Sequence, residues 1–168
     1  MKTLIVSLFL LAATQGWSQN LLKNPSFETG DKKPWLIQSK LPSEVFIENG
    51  ELTVLINEAS DTLSDRMLMQ KDLALESNTR YILRFDAKSA ASNGGQMKVS
   101  VVPSVDYQAG HYGLMKDEPL TAEWTSHEFQ FRTKEISPTD PACLKIHLGG
   151  LNQSTSFRNF LLIKSGQQ

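Results

Sequence analysis

The chain has 168 residues, of which 40% are apolar, 8% aromatic and 21% charged; that supports one packed core and excludes a disordered chain. A formal net charge of −1, from 17 basic and 18 acidic residues, excludes a strongly basic nucleic-acid binder. The single cysteine, Cys143, excludes a disulfide framework and a multi-cysteine zinc site.

Residues 1–18 have the layout of a cleaved secretory signal peptide. Lys2 supplies the positive start, Leu4 to Ala13 form a short apolar run broken only by Ser7, and the small residues Gly16 and Ser18 precede the cut. The run is too short to span a bilayer comfortably, and no later run is long enough to hold the product in a membrane. No cysteine lies near the cleavage point, which argues against a lipoprotein anchor. The expectation is one secreted domain, residues 19–168, extracellular or periplasmic and monomeric.

From residue 44 onward apolar residues alternate with polar ones. Leu52, Val54 and Ile56 share one parity, as do Tyr81, Leu83, Phe85 and Ala87, and Met97, Val99 and Val101. Phe129 and Phe131, then Leu144, Ile146 and Leu148, continue the pattern. Period two marks strands with one face buried and one wet. Turn formers punctuate these runs at Asn49-Gly50, Ser77-Asn78, Asn93-Gly94-Gly95 and Gly149-Gly150. No apolar stripe of helical period is sustained. Roughly eight strands result, which suits an all-β, two-sheet antiparallel sandwich. Two connections read as long loops, Asn57 to Asp65 and Pro103 to Pro119; the second carries Asp106, Tyr107, His111, Tyr112 and Asp117.

Four segments, in order, resemble the cenC-type carbohydrate-binding modules, the group containing families 4, 9 and 22. NLLKNPSFETGDKKPW (20–35) is similar to their opening, and YILRFDAKSA (81–90) to an inner strand preceded by a Gln, here Gln70. EWTSHEFQF (123–131) and the closing LKIHLGG and SFRNFLLI complete the likeness, which runs from Asn20 to Ile163. The resemblance implies a galactose-binding-like jelly roll that binds polysaccharide without cutting it. With no room for a catalytic domain, such a module would bind a glycan by itself or work beside separately encoded glycoside hydrolases.

A sugar ring has an apolar C–H face and a polar rim, so its site needs a platform and fixed donors or acceptors. Tyr107, His111 and Tyr112 offer the platform; their other reading is that they plug the loop onto the sandwich edge. Gln70, Arg84, Gln96, Gln130 and Arg132 offer the rim; their other reading is a solvated sheet face. Trp35 and Trp124 match scaffold positions of the family and are expected in the core. The family also implies a structural calcium held by Glu28 and by an Asp in the last strand. Arg158 stands where that Asp belongs, so a calcium is disfavoured, with Asn159 and backbone carbonyls the remaining oxygen donors; Arg158 is expected to pair with Glu28, its other reading being that it points to solvent.

Nothing in the sequence forms a catalytic motif. No pair of acids falls in a glycosidase pattern, His111, His127 and His147 lack metal-ligand spacing, and no nucleophile-elbow or phosphate-binding loop occurs. Cys143 reads as a small buried thiol. Two rivals to a binding module remain: a structural or adhesive sandwich that has lost its sugar site, and a small jelly-roll hydrolase.

Overall fold

The computed structural model describes residues 19–90, 95–106 and 110–166. Ten strands are described: β1 (Leu36–Ser39), β2 (Glu44–Glu48), β3 (Glu51–Leu55), β4 (Arg66–Leu73), β5 (Arg80–Ser89), β6 (Gly95–Pro103), β7 (Met115–Leu120), β8 (Thr125–Arg132), β9 (Ala142–His147) and β10 (Thr155–Lys164). They form two five-stranded sheets, in the orders β1-β4-β9-β6-β7 and β2-β3-β10-β5-β8. Every pairing is antiparallel. The chain crosses between sheets repeatedly, as in a jelly roll.

The alternation in the sequence builds the core. Tyr81, Leu83, Phe85 and Ala87 of β5 are buried while Arg80 and Arg84 are exposed. Leu68, Val99, Leu144 and Ile146 of the first sheet join Leu52, Leu83, Phe85 and Phe157 of the second in one apolar cluster. Phe85 stacks on Phe160 with ring centroids 5.0 Å apart. Between β2 and β3 lie Asn49 (φ 51°) and Gly50 (φ 76°), the left-handed pair that a two-residue hairpin requires.

Two details differ from the periodicity. The edge strand β1 is only four residues long and too short to show an alternating signal. The stretch expected as a loop to Pro119 closes earlier, because β7 pairs with β6 from Met115. As an edge strand it buries little, and its polar sequence MKDEPL hides it from a pattern search. The expected leader at 1–18 and the turn at Asn93-Gly94 lie outside the described residues.

The opening segment is strapped across the sandwich. Asn20 donates from Nδ2 to the Phe160 carbonyl at 2.9 Å and accepts from the Leu162 N–H at 2.9 Å. Gln70 mimics a strand: its Oε1 accepts from the Lys23 N–H at 2.8 Å and its Nε2 donates to the Lys23 carbonyl at 3.0 Å. Trp35, fully buried, lies 4.4 Å from the Phe160 ring and donates from Nε1 to the Asn24 carbonyl at 3.1 Å.

These contacts set a scale. Trp35→Ala leaves an aromatic-sized void and should cost about 3–5 kcal/mol. Gln70→Ala strands two backbone groups and should cost about 1–3 kcal/mol. Urea unfolding measures both; a Gln70→Ala loss within the error of the titration would show that the strap does not depend on that side chain.

Candidate functional site

The two outer faces of the sandwich differ in kind. On β5, β8 and β10 the outward side chains form a polar surface with several ion pairs, and a cavity of about 250 Å³ opens at one end among Arg80, Ile82, Gln130 and Arg132. Arg84 pairs with Glu128, and Arg158 lies 3.5 Å from both Glu51 and Asp86. Lys88 and Arg158 lie 4.4 and 4.1 Å from the centre of the Trp124 ring. Trp124 therefore corrects the expectation of core packing: it is half-buried on this outer face, held by two cations.

On the other sheet the central strands are buried on both sides. Leu68, Val99, Val101, Leu144 and Ile146 point inward. Their outward neighbours are covered too: Met67 is 5% exposed, Met69 2%, Ser100 0%, Val102 5%, Cys143 0% and Lys145 8%. Met67, Met69, Val102 and Cys143 make a second apolar cluster, separate from the core. An outer face so covered is recessed.

Strand register fixes its layout. One row runs Gln38, Met67, His147, Lys98, Asp117 across β1, β4, β9, β6 and β7. The next runs Leu36, Met69, Lys145, Ser100, Met115. The floor is thus apolar at Met67, Met69, Val102 and Cys143, with polar groups interleaved. Lys98 Nζ lies 2.8 Å from Asp117 Oδ1, and Ser100 Oγ lies 3.1 Å from His147 Nε2.

Burial governs titration here. It pushes His147 down to about 4, with Lys145 and Lys98 pushing the same way and Asp117 opposing. It pushes the Cys143 thiol up to about 11, against the pull of Lys145 and Lys71. The imidazole is therefore neutral and the thiol inert near neutral pH.

The residues named from sequence are not brought to one place. Arg84 and Gln130 lie on the ion-paired face, where Gln130 Nε2 donates to Glu128 at 3.1 Å. Arg132 is also there, donating to the Asn78 carbonyl at 3.0 Å. Gln70 serves the opening strap with both ends of its amide. Tyr112 is packed into the core and donates its hydroxyl to the Asp140 carbonyl at 2.9 Å, so its ring anchors the loop and presents no open face. His111 sits between the Gly113 N–H and the Lys134 ammonium, at 3.1 and 3.2 Å; burial and then Lys134 lower its pKa. Gln96 is exposed and outward at the start of β6, on the recessed side. Tyr107 lies outside the described residues.

Met67, Met69, Lys98, Ser100, Lys145 and His147 were not singled out by sequence reasoning. For the covered apolar groups the signal was present as continuous apolar runs, Met67-Leu68-Met69, Val101-Val102 and Ala142-Cys143-Leu144, whereas Lys98, Ser100, Lys145 and His147 sit in alternating stretches and read as an ordinary wet face. Such runs mark strands covered on both faces.

The family's calcium position does not suit a divalent cation. The expected Arg158–Glu28 pair does not form; Arg158 reaches Glu51 and Asp86, because its strand lies beside β3 and β5. Glu28 and Arg158 instead share the wall of an open cavity of about 440 Å³ with Ser26, Asn49, Gly50 and Asn159. A guanidinium at this wall opposes a metal, and no cluster of three His, Cys, Asp or Glu side chains able to hold one occurs among the described residues.

A two-sheet jelly roll with one recessed, mixed apolar and polar face has the architecture of a carbohydrate-binding domain. The chain belongs to the CBM_4_9 family of carbohydrate-binding domains, whose sequence profile matches residues 19–155. Its fold is similar to that of a CBM4 structure (TM-score 0.73, 16% identity, covering 85% of this chain and 99% of that one). It is also similar to the second N-terminal cellulose-binding domain of Cellulomonas fimi β-1,4-glucanase C (TM-score 0.72, 21% identity, 89% and 97% covered). A third likeness is to TmCBM61, solved in complex with β-1,4-galactotriose (TM-score 0.59, 20% identity, 88% and 100% covered). No curated protein matches the chain.

The buried imidazole makes stability depend on pH. Folded, His147 stays neutral down to about pH 4, whereas unfolded it takes up its proton near pH 6.5. Between those values the unfolded state binds more protons, so this contribution is present above pH 6.5 and is lost as pH falls toward 4. Partial exposure reduces its size to roughly 1–3 kcal/mol. In denaturant titrations at pH 7 and pH 4.5, His147→Gln should lose less stability than the parent by that amount. Equal losses in both proteins would contradict the assignment.

Proposed function

We propose that the chain is a secreted, non-catalytic module that holds a polysaccharide along the recessed face of β1-β4-β9-β6-β7, beside separately encoded glycoside hydrolases. One observation carries this reading: the central strands of that sheet are covered on their outer as well as their inner face. A recess of this kind shields a sugar chain from water. The half-exposed Leu36 and Met115, at the two edges of the same outward row, can meet the C–H faces of the rings, while imidazole and amine groups meet the rim. On the opposite face Arg84, Lys88 and Arg158 are taken up by acidic partners, and that face offers no such floor. Export is supported by the leader pattern of residues 1–18.

A structural or adhesive sandwich is the competing reading. It is favoured by the use of Trp35 and Tyr112 in packing, which removes two rings from service as platforms. Lack of catalysis is supported by the family assignment and by the absence of a recognisable catalytic motif in the sequence.

A glycan array on the purified protein distinguishes these readings. The binding module retains at least one oligosaccharide. Met115→Ala should weaken that binding roughly tenfold, the worth of about 1–1.5 kcal/mol of apolar contact, while melting remains cooperative. Arg84→Ala and Gln130→Ala should leave it within about twofold, since surface changes away from a site act weakly. No retention of any glycan would favour the adhesive sandwich.

A further inference from the structure

We propose that Arg80 and Arg132, on the outer face of β5 and β8, form a docking point for an acidic side chain of a partner protein, an exposed Glu or Asp beside an apolar residue. The site lies on the sheet opposite the recess, and it does not depend on the recessed face being the glycan site.

Strand register sets the two arginines side by side. Arg80 is paired with Arg132 directly across the β5–β8 ladder, and the next outward pair is Ile82 with Gln130. Side chains directly opposite have Cβ atoms about 4.5–5.5 Å apart, and like charges so placed destabilise the ladder. Further along the same face Arg84 is met by Glu128, Lys88 by Glu51, and Arg158 by Glu51 and Asp86. Arg80 and Arg132 are exposed and have no acid within ion-pair distance among the described residues. The acids nearby are engaged elsewhere: Glu128 with Arg84 and Gln130, and Glu76 with Lys164 at 2.7 Å. Glu135, just past the end of β8, pairs with neither arginine.

The pair is held ready. Arg132 Nε donates to the Asn78 carbonyl at 3.0 Å, which leaves Nη1 and Nη2 without a partner among the described residues. The backbone there is fixed as well. Gly113 packs against the Arg132 carbonyl with no room for a side chain, and the Thr133 N–H donates to the Thr79 carbonyl at 2.9 Å. On the neighbouring strand the Arg80 carbonyl accepts from the Ser165 N–H at 2.9 Å. The cavity of about 250 Å³ opens among these groups. Two guanidinium groups offer a carboxylate forked donors. Gln130, whose Nε2 serves Glu128, keeps Oε1 to accept a peptide N–H. Half-buried Ile82 supplies the apolar contact.

The layout of the charge favours a single acidic side chain over a polyanion. The positive spot is one row on two strands. Along the strands the following charged rows bring Glu128 and then Asp86, and across them Lys164 already holds Glu76. A chain of uronate residues carries a carboxylate on every ring and would press its neighbours against those acids; a lone Glu or Asp meets none of them. A cavity of this volume is also below the usual size for a whole ligand, and suits one side chain with its flanking peptide. A partner docked here leaves the recessed sheet open, because the two sheets present opposite outer faces.

The test is a titration of the purified protein with the peptide acetyl-Ser-Leu-Glu-Thr-Gly-amide, followed by backbone and arginine side-chain N–H chemical shifts. The same peptide with Gln or phosphoserine in place of Glu, and hexagalacturonate, are the comparisons. The Glu peptide should shift Arg80, Arg132, Gln130 and Ser165 saturably, the Gln peptide should not, and salt at about 0.5 M should weaken the binding several-fold. Arg80→Gln and Arg132→Gln should each weaken it by at least about threefold. Arg80→Gln should also leave the melting temperature unchanged or raised, because it removes a like-charge pair. No saturable shift with the Glu peptide, or variants that bind it as the parent does, would overturn the site. A clear fall in the melting temperature of Arg80→Gln would show that the fold already uses that charge, and would overturn the premise. Binding of the phosphoserine peptide about tenfold more tightly would overturn the carboxylate assignment. Tighter binding of hexagalacturonate at the same residues would overturn the protein partner in favour of an acidic glycan. Failure at this site leaves the outcome of the glycan array, and the module reading, untouched.

Discussion

The structure depends on one constraint: β4, β9 and β6 must bury side chains on both faces at once. Their inner side chains, Leu68, Ile146 and Val99 among them, close the core against the second sheet. Their outer side chains, Met67, Met69, Val102 and Cys143, cluster without a second sheet over them. Because side chains alternate along a strand, a slip of one residue would exchange the two sets. The exchange would put Lys98, Ser100 and Lys145 into the core, where burying them without partners is prohibitive. The polar groups on the outer face therefore fix the register, and the register places them in the recess.

The opening segment holds that sheet in place. Asn20 reads the backbone of β10, Gln70 reads Lys23, and Trp35 fills the space between Phe27 and Phe160. Phe27 and Asn24 adopt positive φ, at 54° and 48°, which lets the segment turn sharply as it crosses from one sheet to the other. The motif NPSFE is thus a fastening. Its identity speaks for the fold.

Much of the fold was legible in the sequence. The parity of Tyr81 to Ala87 and of Phe129 and Phe131 assigned core faces that the structure retains. The site was harder to see, for a physical reason. A search for polar residues alternating with apolar ones finds wet faces, and so it found Arg84 and Gln130 on the ion-paired sheet. A covered face is lined partly by apolar groups, so β4 reads as core at Met67-Leu68-Met69, while β6 and β9 keep their alternation and do not stand out from any other wet-faced strand. Tyr112 illustrates a second limit: a tyrosine on a loop can present its ring or bury it, and only the Asp140 carbonyl waiting at 2.9 Å decides. Arg158 illustrates a third, since its partners are set by which strands flank β10.

The central claim, that the recessed sheet and not the ion-paired one meets the sugar, is tested most directly by mapping backbone amide chemical shifts while an oligosaccharide that binds is titrated in. The account predicts that the largest changes fall on Met67–Met69, Lys98–Val102 and Cys143–His147. Changes concentrated instead on Arg84, Glu128 and Gln130 would contradict it.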